Sequence, residues 1–234
     1  MIKLNKIIKC LQNLQFFWCY LKGVSPVFEL DPLLRVLPKI NNLIDIGSNK
    51  GQFALLARGH FPNLKIYSFE PLKEELKKQK KILGNNNINY YNFALGDTIK
   101  NIKINIVSRR DSSSILNPIE KYSQDYKKTS VRSIHVDKLD NILKNKNLKS
   151  PNLLKIDVQG YELRTLKGAK NSLKKIDYII IEISYMKMYE NQVIAKDLKK
   201  FLKNNNFKVL KKCNKTIINN KIYQEDILLK KNNT

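Results

Sequence analysis

From residue 42 onward the hydrophobic positions follow two alternating spacings. Short apolar runs, "LIDI" (43–46), "KIYSF", "NLLKIDV" and "YIIIEIS", read as strands buried on both faces. Between them, apolar positions recur every three or four residues in "GQFALLARGHF", "PLKEELKKQKKIL", "ELRTLKGAKNSLKK" and "NQVIAKDLKKFLKNN". That spacing predicts helices. Phe53, Leu56 and Ala57 share one face of the first, and Pro71 falls in the first turn of the second, where a missing N–H costs nothing. "INYYNFAL" predicts another strand, and "NIKINIV" and "VRSIHV" two more around the polar insertion "SRRDSSSILNPIEKYSQDYKKTS". "FKVLKK" and "DILLK" close the chain with no helix between them, which predicts an antiparallel hairpin at a sheet edge. The alternation as a whole predicts an α/β fold, a mostly parallel sheet with helices on both faces.

Composition adds boundaries to this pattern. A chain of 234 residues suits one α/β domain with an extension, and the pattern divides it into an N-terminal basic helical arm, 1–40, and a domain, 41–234. A hydrophobic content of 42% is enough for a packed core and excludes wholesale disorder. The formal net charge of +24 fits nucleic acid, an anionic membrane or an acidic substrate, or a surface on which lysine is the default residue. Cys10, Cys19 and Cys213 are odd in number and lack CxxC spacing, so they read as reduced thiols rather than as a zinc site or disulfide framework. No apolar run approaches the roughly 20 residues of a membrane span. In the arm, Lys3, Lys6 and Lys9 interleave with Ile2, Ile7 and Ile8 before "FFWCYL", a cluster too short for a signal-peptide core and without a small-residue cleavage site. Residues 1–22 therefore read as a peripheral contact with an anionic membrane, a cap on the domain or a dimer contact. A cytoplasmic protein, free or at the inner face of the membrane, is expected.

Ligands of such sheets bind at the carboxyl ends of the strands. That rule gathers Asp45 to Gly51, Glu70, Asn92 to Asp97, Asp157 to Glu162 and Glu182 to Tyr185. The first loop reads D-x-G-x-x-x-G, with Asp45, Gly47 and Gly51. It lacks the middle glycine by which G-x-G-x-x-G admits a pyrophosphate, and it lacks the G-K-[ST] ending of a phosphate-binding loop. A carboxylate in the loop mouth repels phosphate and suits a cation. Glu70, ending the second strand, offers two oxygens to two adjacent ribose hydroxyls. Either feature alone has a structural explanation; together and in this order they favour S-adenosylmethionine, whose sulfonium is positive. Ser48, Asn49, Phe53, Pro71, Asn92 and Ala94 complete the expected cofactor site.

The chain resembles the FkbM-type methyltransferases in "NLIDIGSNKGQFA", "FEP", "NFALGD", "DSSSIL", "VDKLDNI", "LLKIDVQGYELRTLKGA", "IIIEIS" and "EDILL". The resemblance runs from about residue 30 to about residue 230 and leaves the arm outside. It implies a Rossmann-like class I methyltransferase fold with a seven-stranded sheet, S-adenosylmethionine as cofactor, and O-methylation of a sugar in a cell-surface glycan or glycosylated natural product. Transfer to a hydroxyl is an in-line displacement that needs collinear reactants and a group to take the alcohol's proton. Asp157, ending the fourth main strand, is the first choice for that base. Glu162 follows in the first turn of the next helix, where the dipole favours its anion, and Glu182 ends the fifth strand. The latter two also have structural readings, as a helix cap and as an acceptor for loop amides. No metal is assigned, although such acids could orient a sugar diol through a divalent cation. Arg109 and Arg110 either meet an anionic group of the acceptor or lie in solvent, and His135, in a strand, reads as structural or exposed.

The alternatives are an RNA ribose methyltransferase and a non-catalytic binding subunit. Base N-methylation is disfavoured because the fourth strand ends in "DVQG" rather than a [DN]-P-P-[YF]-like turn. Cytosine C5 methylation lacks its nucleophile, since no cysteine lies between Cys19 and Cys213. The diffuse lysines give no basic, aromatic face for single-stranded RNA. A glycan or small-molecule acceptor is expected, with no specific nucleic acid.

Overall fold

In the computed structural model, which describes residues 2–119, 127–218 and 220–232, the apolar runs lie side by side. The strands in chain order are β1 (Asn42–Ile46), β2 (Lys65–Phe69), β3 (Ile88–Tyr91), β4 (Ala94–Leu95), β5 (Lys100–Val107), β6 (Lys128–Asp137), β7 (Asn152–Ile156), β8 (Tyr178–Ser184), β9 (Phe207–Ile218) and β10 (Lys221–Lys231). Seven of them form one sheet in the order β3-β2-β1-β7-β8-β10-β9. The first five are parallel, and β10 runs antiparallel to both of its neighbours. The hairpin foreseen at one edge is therefore present, but it is longer than the apolar pattern suggested, with strands of 12 and 11 residues. Nearly every position of β9 is exposed, so polar residues pair along it without any alternation to betray the strand.

The helices are α1 (Ile2–Leu11), α2 (Leu14–Leu21), α3 (Asp31–Leu34), α4 (Gln52–His60), α5 (Lys73–Leu83), α6 (Leu139–Leu143), α7 (Glu162–Lys167) and α8 (Ala195–Asn204). Successive residues of a strand face opposite ways, and the core divides accordingly. Ile44, Ile46, Leu154, Ile156, Ile179 and Ile181 pack with Leu198 and Leu202 of α8. Leu43, Leu153 and Ile180 pack on the other face with Phe53, Leu56 and Ala57 of α4. Phe16, Cys19, Leu30, Leu33 and Leu34 of the arm join this second cluster, so the arm shares a core with the sheet.

Three elements differ from the pattern-based expectation. The run "INYYNFAL" splits: β3 stays in the main sheet, and β4 joins a second, three-stranded sheet in the order β4-β6-β5. The bend is held by Asn92, whose Nδ2 donates to the carbonyls of Glu70 and Pro71 at 2.9 and 3.0 Å. Pro71 precedes α5 rather than entering its first turn, because the helix opens on Leu72, whose N–H is taken by Glu70. The stretch "ELRTLKGAKNSLKK" yields only α7 and a separate 3-10 turn, Ser172–Lys175. The Asp140 carboxylate takes the N–H groups of Asn171 and Ser172 and starts that second piece independently. Within the polar insertion, residues 120–126 lie outside the described residues.

Candidate active site

The carboxyl ends of the parallel strands open into a cavity of about 560 Å³. On one side lies the loop between β1 and α4. Gly47 has φ +73° and passes so close to β7 that a Cβ on it would sit 1.9 Å from the Asp157 carbonyl oxygen. Its N–H, like that of Ser48, donates to the Phe69 carbonyl, at 3.0 and 3.1 Å. Gly51, with φ +85°, caps α4, and a Cβ there would fall 2.7 Å from Gln79 Cγ. Glycine is thus demanded at both positions by close approach as well as by the left-handed backbone. The Ser48 hydroxyl turns inward, 2.7 Å from that of Ser68, which in turn accepts from Gln79 Nε2 at 2.7 Å.

Glu70 ends β2 at the cavity wall, between the two loops that hold it. Its Oε2 accepts from the Asn49 N–H and its Oε1 from the Leu72 N–H, both at 2.8 Å. Burial pushes the carboxyl up to about 7 against the pull of those two donors. Asn49, Phe53, Pro71 and Ala94 also line this side. Asn92 does not; its side chain braces the turn after Glu70. Asp45 lies behind the wall, fully buried, with neither carboxylate oxygen hydrogen-bonded, and burial raises it to about 6.

On the opposite side, Asp157 faces the cavity from the end of β7. Its Oδ1 accepts from Gln159 Nε2 at 2.8 Å and its Oδ2 lies 3.5 Å from the Lys155 ammonium. The polar insertion anchors this turn: Ser114 Oγ donates to the Gln159 carbonyl at 2.6 Å, and Tyr189 Oη lies 2.7 Å from the Ser112 carbonyl and 2.8 Å from Gln159 Oε1. Glu182 lines the cavity with its Oε2 accepting from Gln224 Nε2 at 3.2 Å. Burial, then the charges of Asp157 and Asp226, hold its carboxyl well above the usual range. Glu162 lies outside the cavity. Its Oε1 accepts from the N–H groups of Gly160 and Val158 at 3.0 and 3.3 Å, bracing the turn that carries Asp157, and burial pushes it up to about 7.

Three residues lining the cavity, Lys155, Asp226 and Gln224, escaped the sequence reading. Lys155 is buried, with its ammonium 3.3 Å from the Gly47 carbonyl and 3.7 Å from Asp45. Burial disfavours its charge, yet Asp157, Asp45 and Asp226 outweigh that and hold its pKa above the ordinary lysine range. A lysine inside the run "LLKI" was the available signal, because an ammonium in a buried strand demands partners. Asp226, buried at the cavity wall, accepts from Asn214 Nδ2 at 2.7 Å, and burial raises it to about 7. Gln224 carried no local signal, whereas Gln159 lay within the expected 157–162 segment without a role of its own. Arg110 reaches the cavity rim but is paired with Glu74 and, at 3.1 Å, with the buried carboxylate of Glu75, while Arg109 lies 2.9 Å from Asp111. His135 stands away from the cavity beside Asn101. Among the described residues, no group of three or more His, Cys, Asp or Glu is placed to hold a metal ion.

Residues 45–209 match the methyltransferase FkbM domain. The chain belongs to that family. Hexuronic acid methyltransferase AglP of Haloferax volcanii is 26% identical over 165 residues, which cover 70% of this chain and 63% of AglP. The chain thus spans less than two thirds of that relative's length. The fold of TrmK from M. capricolum, solved in complex with S-adenosyl-homocysteine, superposes with a TM-score of 0.51 over 88% of this chain and 68% of its own, at 15% identity. A Listeria monocytogenes protein provisionally described as an S-adenosylmethionine-dependent methyltransferase gives 0.52 over 88% of this chain and 98% of its own, at 11% identity. These two likenesses show that the FkbM domain here adopts the class I methyltransferase fold.

Proposed function

We propose that this protein is an S-adenosylmethionine-dependent O-methyltransferase acting on a hydroxyl of a sugar, in a cell-surface glycan or a glycosylated natural product. The observation that carries the reading is Asp157, held by Lys155 and Gln159, facing a cavity whose other wall is the Gly47 loop and Glu70. The residues fit the donor. Glu70 is pinned by backbone with its carboxylate at the wall, Asn49 Oδ1 is buried without a partner, and Asp45 places a buried acid behind the loop. The cavity wall carries seven acidic and five basic side chains in a chain of formal charge +24, so the positive excess lies elsewhere and the cleft suits a cation. The same balance makes it a poor seat for a phosphate backbone.

Bound there, the cofactor would supply a methyl group made electrophilic by a positive sulfonium. Glu70 would accept from its ribose hydroxyls, and the Gly47 loop would let backbone approach it closely. Asp157 accepts the proton of the attacking hydroxyl, which becomes acidic only as the new bond forms. Lys155 and Gln159 hold that carboxylate in one orientation. Glu182 keeps its proton to higher pH than an ordinary glutamate, so it can donate to an acceptor oxygen, with Asp226 beside it as a further partner. Glu162 acts through the 158–160 turn. In the same reading, residues 1–40 form an arm on a methyltransferase domain of residues 41–234. No helix among the described residues is long and apolar enough to cross a membrane.

Calorimetry with S-adenosylmethionine tests the donor; absence of binding would sink the reading. Incubation with methyl-labelled donor and either a cell-envelope glycan fraction or total RNA tests the acceptor. Label is expected in the glycan, and label in RNA alone would overturn the acceptor assignment.

A further inference from the structure

The arm has two apolar faces and only one is covered. On α2, "LQFFWCYL", Phe16 and Cys19 are buried against the domain. Leu14, Trp18 and Leu21, spaced four and three residues apart on the other face, are 73%, 56% and 58% exposed. Leu11, at the end of α1 three residues before Leu14, is 59% exposed as well. Scattered exposed leucines need no explanation, but four large apolar side chains on one short segment, a tryptophan among them, mark a surface that meets something apolar.

Charge selects the occupant. Residues 1–28 contain Lys3, Lys6, Lys9 and Lys22 and no acidic residue. Lys6 is engaged by Glu29, at 2.7 Å, and the Lys9 ammonium lies 5.4 Å over the Phe28 ring, while Lys22 is exposed directly after Leu21. A second copy of the chain docking through the same face would bring these cations against their own equivalents. An anionic bilayer would bring lipid phosphates to the cations and acyl chains to the apolar face. Eight residues of helix span about 12 Å, too short to cross a bilayer but suited to lying in its interface, where tryptophan is favoured. We propose that the outer face of α2, with Leu11, docks this protein on an anionic lipid surface. This face lies apart from Asp157 and Glu70, so the inference goes beyond methyl transfer and does not depend on it. Lys6 and the segment Gly23–Val27 line the cavity, so docking would bring one lip of the cleft to the lipid.

Trp18 is the chain's single tryptophan and reports on its own surroundings. The full-length protein would be mixed with phosphatidylcholine vesicles, with or without about 30 mol % phosphatidylglycerol, to supply the anionic surface. The expected result is a blue shift of emission and co-sedimentation with the anionic vesicles, both reduced by salt. Leu14→Ser with Leu21→Ser keeps the reporter and should weaken co-sedimentation about tenfold or more, with cofactor binding and melting temperature unchanged. Should that double variant fail to fold, the wild-type spectral shift and its salt dependence decide. No shift with anionic vesicles, undiminished co-sedimentation of the folded variant, or a blue shift that grows with protein concentration in the absence of lipid would each overturn the proposal, the last in favour of a second copy.

Discussion

On one side of the cavity Glu70 hangs from the N–H groups of Asn49 and Leu72; on the other, Glu182 and Asp226 hang from the side-chain amides of Gln224 and Asn214. The first wall is made by backbone, from strand ends within 30 residues of one another. The second is made by side chains drawn from β7, β8, β9 and β10, with the arm added at its rim. A backbone donor persists through almost any substitution, so the Glu70 wall serves one ligand shape as long as the fold exists. The Asp157 wall can be retuned by single substitutions without moving a strand. In the proposed function the first wall seats the donor and the second the acceptor.

The comparison predicts where variants should differ. Asp157→Asn should lower turnover about 10²- to 10⁴-fold while leaving donor affinity within a few-fold, checked by single-turnover kinetics beside calorimetry. Unimpaired turnover would remove Asp157 from the chemistry. Gly47→Ala touches both walls, because its Cβ meets the Asp157 carbonyl. It should abolish measurable donor binding and cost about 1–3 kcal/mol or more of stability, read by denaturant unfolding. Glu70→Gln should weaken donor binding about tenfold, since one acceptor oxygen becomes a donor, with turnover at saturating donor largely preserved. Gln224→Ala should do the reverse, raising the acceptor KM a few-fold with donor affinity unchanged; equal effects on both ligands would erase the distinction between the walls.

The smallest effect expected is on stability against pH. Glu70, Glu162 and Asp226 are raised to about 7 and Asp45 to about 6, each first of all by burial. The folded state therefore holds more protons than the unfolded chain between about pH 4.5 and about pH 7, and stability falls as pH rises through that window. The ligand-free protein should melt a few degrees higher near pH 5 than near pH 8. A melting temperature that rises across the window would mean that these acids find partners in the folded protein that lower them.

The parts of this architecture legible in the sequence were the local ones. Strands β1, β2, β7 and β8 announce themselves because burial on both faces requires unbroken apolar runs. Asp45, Gly47 and Glu70 could be read as one neighbourhood because topology places consecutive strand ends together. Length and register were less legible. The exposed edge strand β9 has no apolar period, the "INYYNFAL" run conceals a bend that only Asn92 reveals, and α7 ends because Asp140, more than 20 residues earlier, starts the next turn. On the proposed acceptor side, Lys6 and Gly23–Val27 line the same cavity as Asn214 and Gln224, from nearly opposite ends of the chain. No spacing rule spans that distance.

The contact between Gly47 and the Asp157 carbonyl bears on how such a protein can diverge. It is a point of passage through which both walls are registered, so lengthening either loop there would misalign the two walls at once. Drift is thereby channelled to the arm, the terminal hairpin and the insertion after β5, which line the cleft without passing through that seam. New acceptors would be acquired by rebuilding the periphery, while the seam between the first and fourth main strands stays as it is.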